Sequence, residues 1–208
     1  MNNKDITLTP LEIINSLGSF DLDPCGFKNH NTADVIFTLP EKDGLKEEWF
    51  GKVWLNPPYS ETLKWIKKMA KHNNGIACVL ASTETGWFQD YVLKKANAIF
   101  FLKSRPKFLN DQLEVVNLMR GVVLVSYGDC IDYLKNCNLN GVLVDLSTAL
   151  QITSNPSDLT FVSQKAINMG LEVQKSKISS PKLSPTEITS PNPNINELTD
   201  KYRKRGEK

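Results

Sequence analysis

The sequence predicts an α/β protein, a three-layer sandwich with helices on both sides of a mainly parallel sheet. Two observations predict it. Apolar runs of four to eight residues alternate with longer amphipathic stretches, the pattern left by strands and helices in alternation. The chain has 208 residues, 40% of them hydrophobic and 23% charged, which is enough for one good core. No internal repeat is visible.

Residues 10–17 read as a short helix with Pro10 at its first position, Thr9 as its cap, and Leu11, Ile14 and Leu17 on one face. Residues 19–22 read as a strand, and residues 51–55 as a second strand running into Asn56-Pro57-Pro58-Tyr59. A helix over 61–72 then places Leu63, Ile66, Met69 and Ala70 inward. The apolar run 75–81 is a third strand. A helix over 87–95, strands over 98–102 and 121–127, a helix over 130–137 and a strand over 141–144 complete the alternation.

Composition excludes collagenous, disulfide-framework and fully disordered classes. The longest apolar runs, 76–81 and 98–102, fall far short of the roughly 18 residues that cross a bilayer, so no membrane partner is expected. The first ten residues, MNNKDITLTP, carry no apolar segment behind Lys4, which gives no support to a secretory signal and makes the cytoplasm the expected compartment. Cys25, Cys78, Cys130 and Cys137 are then reduced thiols. They form no C-x-x-C pair, and only His30 and His72 could assist them, so no metal site is expected. Cys78, inside an apolar run, reads as a small buried hydrophobe. Two histidines also argue against a hydrolytic triad.

The chain changes character at residue 173. Residues 173–208 hold eight Lys+Arg, four Asp+Glu, four prolines, five serines and one aromatic, Tyr202, a flexible basic tail unable to bury enough to fold alone. Residues 1–172, the folded domain, hold 17 basic and 19 acidic side chains, so the net charge of +2 is a property of the tail. The tail reads as a solvated, solubilising segment or as an arm that touches phosphates nonspecifically.

Asn56-Pro57-Pro58-Tyr59 stands where an apolar strand ends and a helix is about to begin, the edge at which open α/β sheets bind ligands. Its prolines remove two backbone donors, fix φ and leave a stiff loop with free carbonyls. The Asn56 amide oxygen and the Pro57 carbonyl can both accept from an exocyclic –NH₂, drawing its lone pair out of conjugation. Tyr59 offers a flat face for a ring. The plainer reading is a stiff turn with an aromatic packed under it. A second constellation is Phe20-Asp21-Leu22-Asp23-Pro24-Cys25, where alternation places Phe20 and Leu22 on one face and Asp21 and Asp23 on the other. A carboxylate at such a strand tip can take both hydroxyls of a ribose, or the two aspartates form a solvated pair before a turn. In Asp43-Gly44-Leu45, with Trp49 nearby, Asp43 either accepts from an adenine amine or closes an Asp-Gly turn.

The order Thr9-Pro10, Phe20-Asp21-Leu22-Asp23-Pro24, Asp43-Gly44-Leu45, Trp49 and Asn56-Pro57-Pro58-Tyr59-Ser60 resembles the phage-type DNA N-6-adenine methyltransferases. Trp65, the strand over 76–81, the stretch Thr83-Glu84-Thr85-Gly86-Trp87-Phe88, and Arg105 with Phe108 extend the likeness over about residues 7–128. Asn-Pro-Pro-Tyr is its specific part and the acidic motif is moderately so. The resemblance implies a Rossmann-like methyltransferase, phage- or prophage-encoded and acting in the host cytoplasm, that moves the methyl group of S-adenosyl-L-methionine to the N-6 amine of adenine in DNA. It places Asn56, Pro57, Pro58 and Tyr59 in the catalytic loop. It implies cofactor contacts from Thr9, Pro10, Asp21 or Asp23, Pro24 and Asp43, and substrate contacts from Tyr59, Ser60, Arg105 and Phe108. Such a target base leaves the duplex stack. No covalent intermediate and no metal are implied. No glycine-rich F-x-G-x-G loop precedes Asp21, so Thr9-Pro10 and the following helix would close that side of the pocket. Three cations in Lys103-Ser104-Arg105-Pro106-Lys107-Phe108 would touch the backbone of the flipped strand, or form an exposed basic turn. Because an Asn-Pro-Pro-Tyr loop suits any flat –NH₂, an RNA base or a protein glutamine is an alternative acceptor. A DNA-binding or regulatory relative without catalysis is another alternative.

Overall fold

The computed structural model describes residues 7–147 apart from Asn117. The expected tail, 173–208, lies outside the described residues.

In chain order the elements are helix α1 (Leu11–Ser16), strands β1 (Leu22–Asp23), β2 (Val35–Ile36) and β3 (Val53–Leu55), helix α2 (Thr62–His72), β4 (Gly75–Leu80), a π-helix (Phe88–Leu93), β5 (Ala98–Leu102), β6 (Phe108–Leu109), β7 (Val115–Val116), β8 (Val122–Tyr127), helix α3 (Ile131–Lys135) and β9 (Gly141–Asp145). Among the described residues seven strands form one sheet in the order β2-β1-β3-β4-β8-β5-β9, and β6 with β7 forms a separate hairpin.

The sheet is mixed, which corrects the mainly parallel expectation. β1 pairs in parallel with β2 and β3, and β3 with β4. β8 pairs antiparallel with β4 and β5, and β9 antiparallel with β5. The physical reason lies in the connection from β5 to β8. A parallel return needs a crossover of about a dozen or more residues, usually a helix. The segment between β5 and β8 contains only the short β6–β7 hairpin, so β8 comes back alongside β5 in the opposite sense.

Both faces of the sheet are covered. Val53 and Leu55 of β3 and Ala77 and Val79 of β4 pack with Trp65, Ile66 and Met69 of α2 and with Phe88 and Val92 of the π-helix. Trp54, Ile76 and Cys78 point the other way, toward Ile13, Ile14 and Leu17 at α1 and Leu134 of α3. This is the period-2 alternation of a strand buried on both sides. Cys78 is fully buried, as expected, and burial pushes its thiol up to about 12.

Some local expectations are corrected. Pro10 is the N-cap of α1 and not its first turn, and no side chain caps that helix; Thr9 is buried elsewhere. The buried face of α1 is Ile13 and Ile14, with Leu11 exposed. The first strand starts at Leu22, and Phe20 and Leu22 enter different apolar clusters, so they do not share a face. Leu63 of α2 is exposed while Trp65 takes the inward position. The stretch expected as a helix over 87–95 winds as a π-helix. No described helix is long and apolar enough to cross a membrane.

Candidate active site

Three chain segments meet at the C-terminal ends of β1 and β3. The first is a strap, residues 7–9. Leu8 is bridged to Leu109 of β6 by two backbone hydrogen bonds, Leu8 N to Leu109 O at 2.7 Å and Leu109 N to Leu8 O at 3.0 Å. The strap so pinned presents its carbonyls inward. Thr7 O accepts from Asn56 Nδ2 at 2.6 Å, and Thr9 O accepts from His30 Nε2 at 2.8 Å.

The second segment is the loop after β1. Asp23 is 3% exposed. Thr32 Oγ1 donates to its Oδ2 at 2.5 Å and the Cys25 amide to its Oδ1 at 3.1 Å. Burial outweighs these bonds and raises the Asp23 carboxyl to about 6, because a low-dielectric site disfavours the charged form. Gly26 is required by close approach, since a Cβ there would meet the Asp23 carboxylate and the Ile36 side chain. Burial likewise holds His30 below its ordinary range. The Cys25 thiol is pushed up by burial and then by the Asp23 charge.

The third segment is the loop after β3. The Cys25 thiol donates to the Asn56 carbonyl at 3.4 Å, tying the two strand ends together. Because Nδ2 is taken by Thr7, the Asn56 amide is held with Oδ1 as its remaining acceptor, and that oxygen is buried without a partner. Pro57 and Pro58 are buried and supply no N–H. Tyr59 opens a 3₁₀ turn, Tyr59–Glu61, and burial raises its phenol pKa.

Together with residues 38–41 these segments enclose a cavity of about 410 Å³, within the usual range for small-molecule sites. Thr9, Asp23, Asn56 and Pro58, all singled out from sequence, line it. Cys25, the last residue of the acidic constellation, lines it too, with Thr7, Gly26, Phe27, Lys28, His30, Thr32, Thr38, Glu41 and Trp54, none of which was expected at this site. Thr9 Oγ1 and Trp54 Nε1 join Asn56 Oδ1 as buried atoms without partners. Buried polar groups are nearly always hydrogen-bonded. Three orphans on the wall of one cavity therefore fit a ligand that brings both donors and acceptors, as a nucleoside does.

The remaining sequence-predicted residues lie elsewhere. Asp21 is exposed and its Oδ2 accepts from the Lys52 amide at 2.5 Å. Pro10 and Pro24 stand beside lining residues; Pro24 is buried under Gly44, where a Cβ would collide with the Pro24 carbonyl. Asp43 closes its own turn, accepting from the Leu45 amide at 3.1 Å and pairing with Lys46 at 3.0 Å, and that lysine first, then the amide, holds its carboxyl below the usual range. Pro57, Tyr59 and Ser60 follow Asn56 without lining the cavity. Arg105 is exposed, its Nη1 donating to Leu118 O at 3.2 Å, whereas Phe108 is fully buried in the apolar cluster under α1. Among the described residues no group of His, Cys, Asp and Glu is placed to hold a metal ion.

Comparison with known proteins points the same way. The family model described as DNA N-6-adenine-methyltransferase (Dam) matches residues 1–123. A DNA N-6-adenine-methyltransferase of Escherichia phage T1 is 33% identical over 98 residues, 42% of this chain and 40% of that protein. The match thus spans less than half of that relative's length.

Proposed function

We propose a function from one premise: the chain belongs to the DNA N-6-adenine-methyltransferase family, whose match covers 123 of its 208 residues. On this reading it transfers a methyl group from S-adenosyl-L-methionine to the N-6 amine of an adenine turned out of the DNA stack, in a Rossmann-like site at the parallel end of the sheet. The observation that carries the reading is the fixed Asn56 amide, held by Thr7 at the tip of β3 beside a cavity that also holds a buried carboxylate.

The cofactor, when bound, supplies an electrophilic methyl carbon. Asp23, not Asp21, takes its ribose hydroxyls, since Asp23 faces the cavity and Asp21 is engaged with Lys52 on the outside. Thr9 and Pro10 close the side where a glycine-rich loop is missing, and Thr9 Oγ1 gains there the partner it lacks. Asn56 Oδ1 and the Pro57 carbonyl accept the two amine hydrogens. This would turn the nitrogen lone pair out of the ring's conjugation and toward the methyl carbon, so that the nitrogen–carbon bond would form as the methyl–sulfur bond breaks, the electron pair staying on sulfur, and the amine would then release one proton to solvent water. Tyr59 bears on the base as a flat surface. The rate gain comes from alignment and from preplaced acceptors.

The test is to incubate the full chain with labelled S-adenosyl-L-methionine and, separately, duplex DNA, RNA and protein extract, then digest to nucleosides and amino acids. Label in N-6-methyladenine from DNA is expected. Label confined to RNA, to glutamine, or absent altogether overturns the reading.

A further inference from the structure

Outside the cavity, a second concavity of about 850 Å³ is lined by Leu45, Ala70 and Tyr91 and by five lysines, Lys64, Lys67, Lys68, Lys71 and Lys95. Four of the five come from α2. Their spacing of three, one and three residues places them on one stripe of that helix. Lys64 to Lys71 spans about 10 Å at 1.5 Å per residue.

The lysines are not equivalent. Lys68 is a clamp: its Nζ donates to Gly44 O at 2.9 Å, Leu45 O at 3.0 Å and Glu47 O at 2.5 Å, fixing the loop that also carries Asp43. The charges of Asp43, Glu47 and Glu48 face it. Lys64 is paired with Glu61. Lys67 and Lys71 are exposed, and among the described residues no hydrogen bond or ion pair engages either ammonium group. The helix that carries the stripe starts at Thr62, directly after the 3₁₀ turn that Tyr59 opens. The clamped loop ends against Pro24, behind Asp23.

We propose that this lysine groove is the surface that grips the sugar–phosphate backbone of duplex DNA beside the flipped adenine. The inference rests on the methyltransferase reading and supplies what that reading lacks, a phosphate-binding face, here on the helix that follows the catalytic loop. A B-form strand carries one phosphate per about 3.4 Å of helix axis, so a stripe of about 10 Å faces roughly three of them. The ammonium groups of Lys67 and Lys71, over an apolar floor with one aromatic, suit a polyanion whose sugars and phosphates alternate. Its described lining holds no Asn, Gln or Arg, and lysines that meet phosphates position the duplex without choosing a sequence.

The experiment compares the full chain with Lys67→Gln/Lys71→Gln and with Lys103→Gln/Lys107→Gln, which removes the same charge from the basic turn. Binding of a labelled DNA duplex is followed by anisotropy from about 50 to about 200 mM salt, the range over which phosphate contacts are most visible. Calorimetry with S-adenosyl-L-methionine reports whether the cofactor site is intact. The α2 variant is expected to bind DNA about tenfold or more weakly at low salt. Its log affinity against log salt should be shallower by about 1.8, two contacts at about 0.9 each, with cofactor affinity unchanged. If the wild type methylates DNA while the α2 variant keeps its DNA affinity and slope, the groove assignment is overturned and the methyltransferase reading stands. If DNA binding depends on Lys67 and Lys71 but no methyl transfer occurs, the groove stands and that reading fails. An equal loss in the 103/107 variant, or tighter binding of an RNA duplex, overturns the groove as a DNA surface.

Discussion

The two halves of the sheet solve different problems. On one side of β4, β8 is buried at all six positions and is hydrogen-bonded along β4 and β5. On the other, β1, β2 and β3 have two, two and three residues; Asp23 ends β1, Asn56 follows β3, and with Thr9 of the strap and Trp54 of β3 they bring poorly placed polar groups to one cavity. A carboxylate raised to about 6 and three buried atoms without partners are destabilising features. The long antiparallel strands supply the cohesion that lets the short parallel ones hold such groups. Stability and chemistry are therefore separable by substitution.

The widest separation is expected from Leu124→Ala in β8. Leu124 is fully buried among Phe100, Phe108 and Ile76, and its truncation should cost about 2–5 kcal/mol in urea unfolding, with cofactor affinity unchanged in the protein that remains folded. Asn56→Ala should show the converse: turnover on DNA about 10²–10³ lower, and stability changed by no more than the one bond to Thr7, about 1 kcal/mol.

Asp23→Asn sharpens the comparison further. The Asp23 carboxyl rises from an ordinary 3.8 to about 6 on folding, so between those values the folded chain holds a proton that the unfolded chain has released. Stability falls as pH rises through that window, by about 3 kcal/mol in full at pH 7. The asparagine variant should lack this loss, and its stability difference from wild type, measured by denaturation at pH 4 and pH 7, should grow with pH. His30, held down by burial, acts in the opposite sense in both proteins and cancels in the difference. Cofactor affinity of the wild type should in turn strengthen as pH rises through about 6, because the ionised carboxylate is the better acceptor for ribose hydroxyls. The smallest effect is expected from Thr32→Val, which removes the donor to Asp23 Oδ2: a loss of about 1–2 kcal/mol and a shift of that pH midpoint upward.

Elements that bury a regular apolar pattern were legible in the sequence. β4, β5 and α2 fall within one residue of expectation because six apolar residues in a row, or a 3.6-residue stripe, survive whatever packs beside them. β1 was displaced because Phe20 serves one face before the strand begins, and a strand of two residues has too little pattern to fix register. The direction of β8 was hidden because an apolar run does not encode which neighbour it joins. Asn56 and Asp23 were legible as strand-end polar residues. Their partners were not: Thr7 meets Asn56 across 49 residues and Thr32 meets Asp23 across 9, while His30 holds Thr9 of the strap across 21, contacts that no local periodicity records. The lysines of α2 stand at helical spacing but were not singled out in the sequence, and they become informative only once Leu45 and Tyr91 are seen to face them.

The most direct test of the division between a cohesive half and a chemical half is calorimetric titration of S-adenosyl-L-methionine into wild type and Asp23→Asn at pH 7, with unfolding measured on the same samples. The variant should be the more stable protein and should have lost the cofactor. Undiminished binding by the variant, or a variant less stable than wild type, would contradict the assignment of Asp23 as a buried carboxylate kept for its ligand.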